Sequence, residues 1–326
     1  MKVGIPRGMY FYKYYPFAKA FLEELGAEVV PSPETTKEIL DNGVKHCIDD
    51  ACLPVKVYHG HTYKLREKAD LLLIPRLTSV SLKEYICPKF GGLPEMVRYS
   101  VPELPPIIDI EINMHRNEKH LIKSLYMLGK ALKIRNAFKI KKAYKKAADV
   151  HNSFKAEVLK GTTPDKLLKN LRAVEISRKH RIGIIGHPYL IYDSFINMKL
   201  LMKLEESSIS YITPEMVDPH IVNERCKELS KRMFWSSAKS LIGSALYMMD
   251  SSEIDGLIML TAFGCGIDSL AGEYIEHIAR KHYNKPFMVM SLDEHTGDAG
   301  YNTRLEAFKN LLEWRCADDF DLSSHG

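Results

Sequence analysis

The chain has 326 residues, 45% hydrophobic and 27% charged, a globular composition that excludes a fibrous or disordered protein and allows two cores. No apolar run approaches the roughly 20 residues that cross a bilayer, and MKVGIPRG enters a strand-like run at once, so we expect a cytoplasmic protein without a signal peptide. The net charge of +5 is uneven: between Glu111 and Arg181, 19 Lys and Arg face 6 Asp and Glu, which leaves 27 basic and 35 acidic residues elsewhere.

In chain order, short apolar runs bounded by Gly or Pro predict strands at VGIP (3–6), AEVVP (27–31), ADLLLIP (69–75) and PPIIDIEI (105–112). A basic helical stretch follows, KALKIRNAFKIKKAYKKAADVHNSFKAEVLKG. It reads as a solvated face or as a docking surface for an acidic partner or a phosphate-bearing ligand. The strand series then repeats at IGIIG (182–186), ISYITP (209–214), DGLIMLTAFG (255–264) and KPFMVMSLD (285–293). PFAKAFLEEL, VNERCKELSKRMFW and LAGEYIEHIARKHY have helical apolar spacing. Strands apolar throughout, alternating with helices, indicate parallel sheets covered on both faces. The expectation is an α/β protein: two duplicated doubly wound, Rossmann-like halves, 1–112 and 181–326, joined by a basic helical segment, 113–180.

Such sheets bind ligands beyond the carboxyl ends of their strands. Cys265, in AFGCGIDS, follows a strand and precedes a helix, with glycine on both sides, which suits a metal-bound thiolate or a nucleophile of lowered pKa. Cys87 precedes a proline in EYICPKFGGLPE, which reads as a loop rich in Gly and Pro, and Cys52 in DDACLPVKVYHGH stands before a helix with Lys56 one turn on. Cys47 is a fourth ligand or a spare thiol, whereas Cys226 and Cys316 read as packing or surface residues. His59 and His61 with Cys47 and Cys52 do not make a closed structural-zinc spacing. Cys265 with His187 or His295 as base remains open as a thiol catalyst. No nucleic-acid-binding module is present, and no nucleic-acid or membrane partner is expected.

Taken together, CLPVKVYHGH, CPKFGGLPE, GIIGHPYLIYD, LTAFGCGIDSL and LDEHTGDAGYNTRLEAF resemble the 2-hydroxyacyl-CoA dehydratase superfamily, in its short branch related to acyl-CoA dehydratase activases. The resemblance implies a 4Fe–4S cluster, or a double cubane, on Cys52, Cys87 and Cys265. It also implies an ATP-hydrolysing activase with its own cluster as partner, and it is compatible with a small-molecule substrate and a homodimer. It leans toward an enzyme, a low-potential reductase or electron-transfer protein. Lys56, His59, His61 and His187 would then surround the cluster, and Asp293, Glu294, His295 and Arg304 would serve proton transfer or substrate positioning. The chain shows no activator phosphate motif and no segment assignable to CoA. Two alternatives stand beside this reading: a non-catalytic accessory protein or cluster carrier for an activase, and a zinc- or thiol-dependent enzyme on the same fold.

Overall fold

A computed structural model describes residues 1–117, 119–171 and 179–323, with side chains described as far as 314. Strand β1 (Lys2–Ile5) leads through α1 (Phe11–Glu24) to β2 (Glu28–Pro31), and α2 (Lys37–Lys45) and α3 (Leu53–Leu65) return the chain to β3 (Leu71–Leu73). After β4 (Arg76–Ser79) and α4 (Pro88–Ser100) come β5 (Ile107–Ile108) and β6 (Glu111–Asn113). Helices α5 (Lys119–Ala131), α6 (Ala137–Leu159) and α7 (Pro164–Leu168) precede the second series.

That series runs β7 (His180–Ile185), α8 (Pro188–Ile191), α9 (Leu200–Glu206) and β8 (Ile209–Ile212). Helices α10 (Pro219–Arg225) and α11 (Ser236–Asp250), strand β9 (Gly256–Ala262), α12 (Gly266–His282), β10 (Phe287–Leu292) and α13 (Asp298–Ser323) complete it.

The two main sheets are parallel and four-stranded. Their orders, β2-β1-β3-β5 and β8-β7-β9-β10, place the first strand of each series inside, next to the third. The four inner strands are apolar because both faces are covered: Val3, Leu72, Ile182, Ile184, Ile258 and Leu260 are fully buried.

Three local expectations are corrected. The run PPIIDIEI is not one strand: β5 joins the first sheet, while β6 pairs with β4 in a separate two-stranded sheet. The helix expected over VNERCKELSKRMFW ends early. Asp218 caps α10 through the His220 N–H, and the chain turns extended at Leu229. It then runs beside Tyr85, whose backbone bridges to Trp235, so tertiary pairing overrides local helical spacing there. The basic stretch breaks between α5 and α6, where Lys133 has φ 62° and Asn136 caps α6 by accepting the Lys139 N–H.

Candidate functional site

Three helices begin on a cysteine. Cys52 is the N-cap of α3, Cys87 of α4 and Cys265 of α12, and none of the three side chains caps its own helix. Pro54 and Pro88 occupy the first turns that follow, where a missing N–H costs nothing. Each thiol therefore stands at a helix end carrying unpaired N–H groups and the positive end of the dipole.

All three line one cavity of about 20 Å³, together with Met9, Tyr10, Phe90, His187 and Tyr189. Met9 and Tyr10 follow β1, His187 and Tyr189 follow β7, and Cys265 follows β9, so the cavity lies where the carboxyl ends of the two sheets meet. Gly264, at φ 75°, lets the β9 loop lie on the Cys52 backbone. A Cβ there would stand 3.4 Å from the Cys52 Cα.

The helix ends do not lower the Cys265 thiol, as its sequence context suggests. Burial and the charge of Asp268 push it up to about 12, against the opposing backbone N–H of Asp268. Burial likewise raises Cys87 and Cys47. Desolvation outweighs the dipole, so Cys87 and Cys265 are protonated thiols at neutral pH unless a cation joins them.

His187 and Asp268 stand beside Cys265 and are almost fully enclosed, at 5% and 1% exposure. Asp268 Oδ2 accepts the Ala262 N–H at 2.9 Å. Its Oδ1 lies 2.7 Å from His187 Nε2, but the alignment falls outside hydrogen-bond geometry and this buried oxygen has no hydrogen bond. Among the described residues, His187, Cys265 and Asp268 form the one group whose ligand atoms all lie within 4.8 Å of one another.

The other candidates are placed apart from the cavity lining. Lys56, also almost fully buried, pairs with Glu294 across the two series, and this pairing holds the Glu294 carboxyl below its usual range although burial works against it. The His59 ring meets Val55 O at 2.7 Å within α3, and the His61 ring meets Thr35 Oγ1 at 2.9 Å. Cys47, Cys52, His59 and His61 thus do not gather as a zinc set. Asp293 organises the turn after β10 by accepting the His295 N–H and the Thr296 hydroxyl. Arg304 donates to Val289 O. Cys226 packs against α11, its thiol 3.3 Å from Lys239 O, and the Cys316 side chain lies outside the described residues.

Sequence reasoning missed Asp268. Its signal was present: an acidic residue in the first turn of the helix that Cys265 caps, three positions on.

A family model described as the CoA enzyme activase uncharacterised domain matches residues 2–217. The chain belongs to this family. The assignment to the dehydratase superfamily is corrected accordingly, and the activase relationship stands. Of the motifs behind that assignment, LTAFGCGIDSL and LDEHTGDAGYNTRLEAF lie beyond the matched stretch. The reading as a low-potential reductase or electron-transfer protein falls with it, because activase-domain membership indicates a part of the activating machinery. No curated protein matches the chain.

The donor set discriminates between kinds of metal centre. A tetrahedral ion with Zn–S bonds near 2.3 Å holds its sulfurs about 3.8 Å apart. Among the described residues the three cysteines are not grouped within 4.8 Å, so they do not already form a single-ion site. The cavity is water-sized, so a cluster would need its walls to draw back. Among the described residues, no helix is long and apolar enough to cross a membrane.

Proposed function

We propose that this activase-domain protein is a non-catalytic accessory component of a CoA enzyme activase system, a carrier that takes an iron–sulfur cluster on Cys52, Cys87 and Cys265 as cargo. The observation that carries the reading is the convergence of three cysteines at helix N-cap positions, from both strand series, on one cavity. Helix N-termini favour an anionic cluster, and backbone N–H groups supply the donors that cluster sulfurs accept. The units 1–112, 113–180 and 181–326 are the divisions this reading uses, with the equal strand orders supporting a duplication. The acceptor is an ATP-hydrolysing activase, and the exposed lysines of α6, such as Lys139, Lys141 and Lys145, supply a surface for an acidic face on it.

The test is anaerobic reconstitution with iron and sulfide, followed by mixing with a cluster-free activase and separation of the two chains. The expected result is about four irons and four sulfides per chain, passed on to the activase, and at least a tenfold lower load for Cys265→Ala, Cys52→Ala and Cys87→Ala. Absence of iron on the unaltered chain, or retention of the full load with no transfer, overturns the reading.

A further inference from the structure

We propose that Cys265, His187 and Asp268 form a mononuclear site for a divalent cation of the zinc class, separate in its donors from the three-cysteine set and sharing only Cys265 with it. Three observations carry this. The three ligand atoms lie within 4.8 Å of one another, and all three side chains are buried. Asp268 Oδ1 is a buried carboxylate oxygen that has the His187 ring as an ion-pair neighbour but no aligned hydrogen bond, which leaves its acceptor capacity open to a further partner. The His187–Asp268 approach of 2.7 Å is misaligned for a hydrogen bond and places both donors on one side of Cys265.

A thiolate, an imidazole and a carboxylate form a mixed soft and hard set that suits zinc or ferrous iron better than calcium or magnesium. Ligands about 2.0–2.1 Å from a tetrahedral ion lie roughly 3.3 Å apart, so the cation would part His187 and Asp268 by about half an ångström. Three protein ligands leave a fourth position for water or an incoming donor. The cavity beside Cys265 is large enough for one water. Asp268 stays oriented because its other oxygen accepts the Ala262 N–H from the end of β9.

Sharing of Cys265 makes the cation and the cluster alternatives. One chain holds either a single ion, on residues of the second series, or a cluster that also draws on the first. The cation would keep the Cys265 thiol occupied while no cluster is present.

The experiment is a cobalt(II) titration of the metal-free full-length chain under anaerobic conditions. The thiolate-to-cobalt absorption and the tetrahedral visible bands report the ligand set. One cobalt per chain with a thiolate band is expected. Cys265→Ala removes the band, and His187→Ala and Asp268→Asn each weaken binding at least tenfold. Cys52→Ala and Cys87→Ala leave the affinity within about threefold. Asp268→Asn keeps an acceptor for Ala262 N–H, and His187→Gln serves where the alanine variant does not fold, with thermal melting of the metal-free variants as the check.

Undiminished affinity in both the His187 and Asp268 variants overturns the proposal. Loss of binding in Cys52→Ala or Cys87→Ala does so too, because it places the cation among the three thiols. Iron and sulfide loading of the same variants separates this result from the carrier reading: His187→Ala and Asp268→Asn should still take a cluster, and Cys52→Ala and Cys87→Ala should not.

Discussion

His61 carries a cost that only the fold reveals. Its ring is fully buried in α3 and donates through Nε2 to Thr35 Oγ1, which in turn donates to Asp193, so three residues from two series form one polar chain. Nδ1 is left without a partner. Burial, aided by the charge of Arg7, lowers the imidazole from 6.5 to about 3. A depressed histidine contributes its stability above 6.5 and loses it as pH falls toward 3. At pH 4 the loss approaches about 3 kcal/mol. Urea midpoints at pH 7 and pH 4 should show a steeper acid loss for the unaltered chain than for His61→Gln. Asp193, which burial raises, has the opposite sign, so Asp193→Asn leaves the acid limb of the profile in place. At this scale the places of Cys52 and Cys265 before helices were legible in sequence, from Pro54 in the first turn and from the glycines around Cys265; Cys87 was not, because the Gly- and Pro-rich run that reads as a loop folds as helix α4. The His61–Thr35–Asp193 chain was not legible, because nothing local links residues 26 and 158 positions apart.

Helices α2 and α3 cross so closely that two glycines replace side chains at the contact. A Cβ on Gly60 would lie 1.8 Å from Ile39 O, and one on Gly43 would lie 2.0 Å from Lys56 O. Both obstacles are backbone, so neither can swing aside. Gly60→Ala and Gly43→Ala should each cost about 1–3 kcal/mol or more by denaturant unfolding. Both should also lower cluster loading, since α3 begins at Cys52 and carries Lys56. Gly92 in α4 has open space around its Cβ position, so Gly92→Ala should raise stability by up to about 1 kcal/mol through helix propensity. Equal losses at Gly92 and Gly60 would remove the crossing as the cause. The elements themselves were legible where apolar runs met Gly or Pro boundaries. The split of 105–112 between two sheets was not, since one apolar run serves either partner equally until the sheets pack.

At the scale of the whole molecule, the two series are joined by polar contacts as well as by packing. Lys56 reaches Glu294, Lys239 reaches Glu84 at 2.6 Å, and Tyr85 bridges to Trp235. Lys56→Met leaves Glu294 facing a lost partner and should cost about 2–3 kcal/mol, below the full penalty for a buried pair because Glu294 keeps some solvent. The double change Lys56→Met with Glu294→Leu should recover most of that loss in thermal melting. Failure of the double variant to recover would mean that Lys56 acts through packing of its stem. Parallel α/β architecture could be read from the order of strands and helices. The facing of the two sheets, and hence the assembly of the cavity, depends on contacts between residues about 150–240 positions apart and is not written in any local pattern.

The place of Cys265 in the chain also bears on biosynthesis. It leaves the ribosome 213 residues after Cys52, a delay of roughly 10–40 s at ordinary rates of synthesis. Until strand β9 is made, Cys52 and Cys87 lack Cys265, the third member of the proposed ligand set. On the proposed ligand sets, metal acquisition would be a late event of maturation, and a nascent or truncated chain ending before Gly256 should emerge unloaded even where iron and zinc are plentiful.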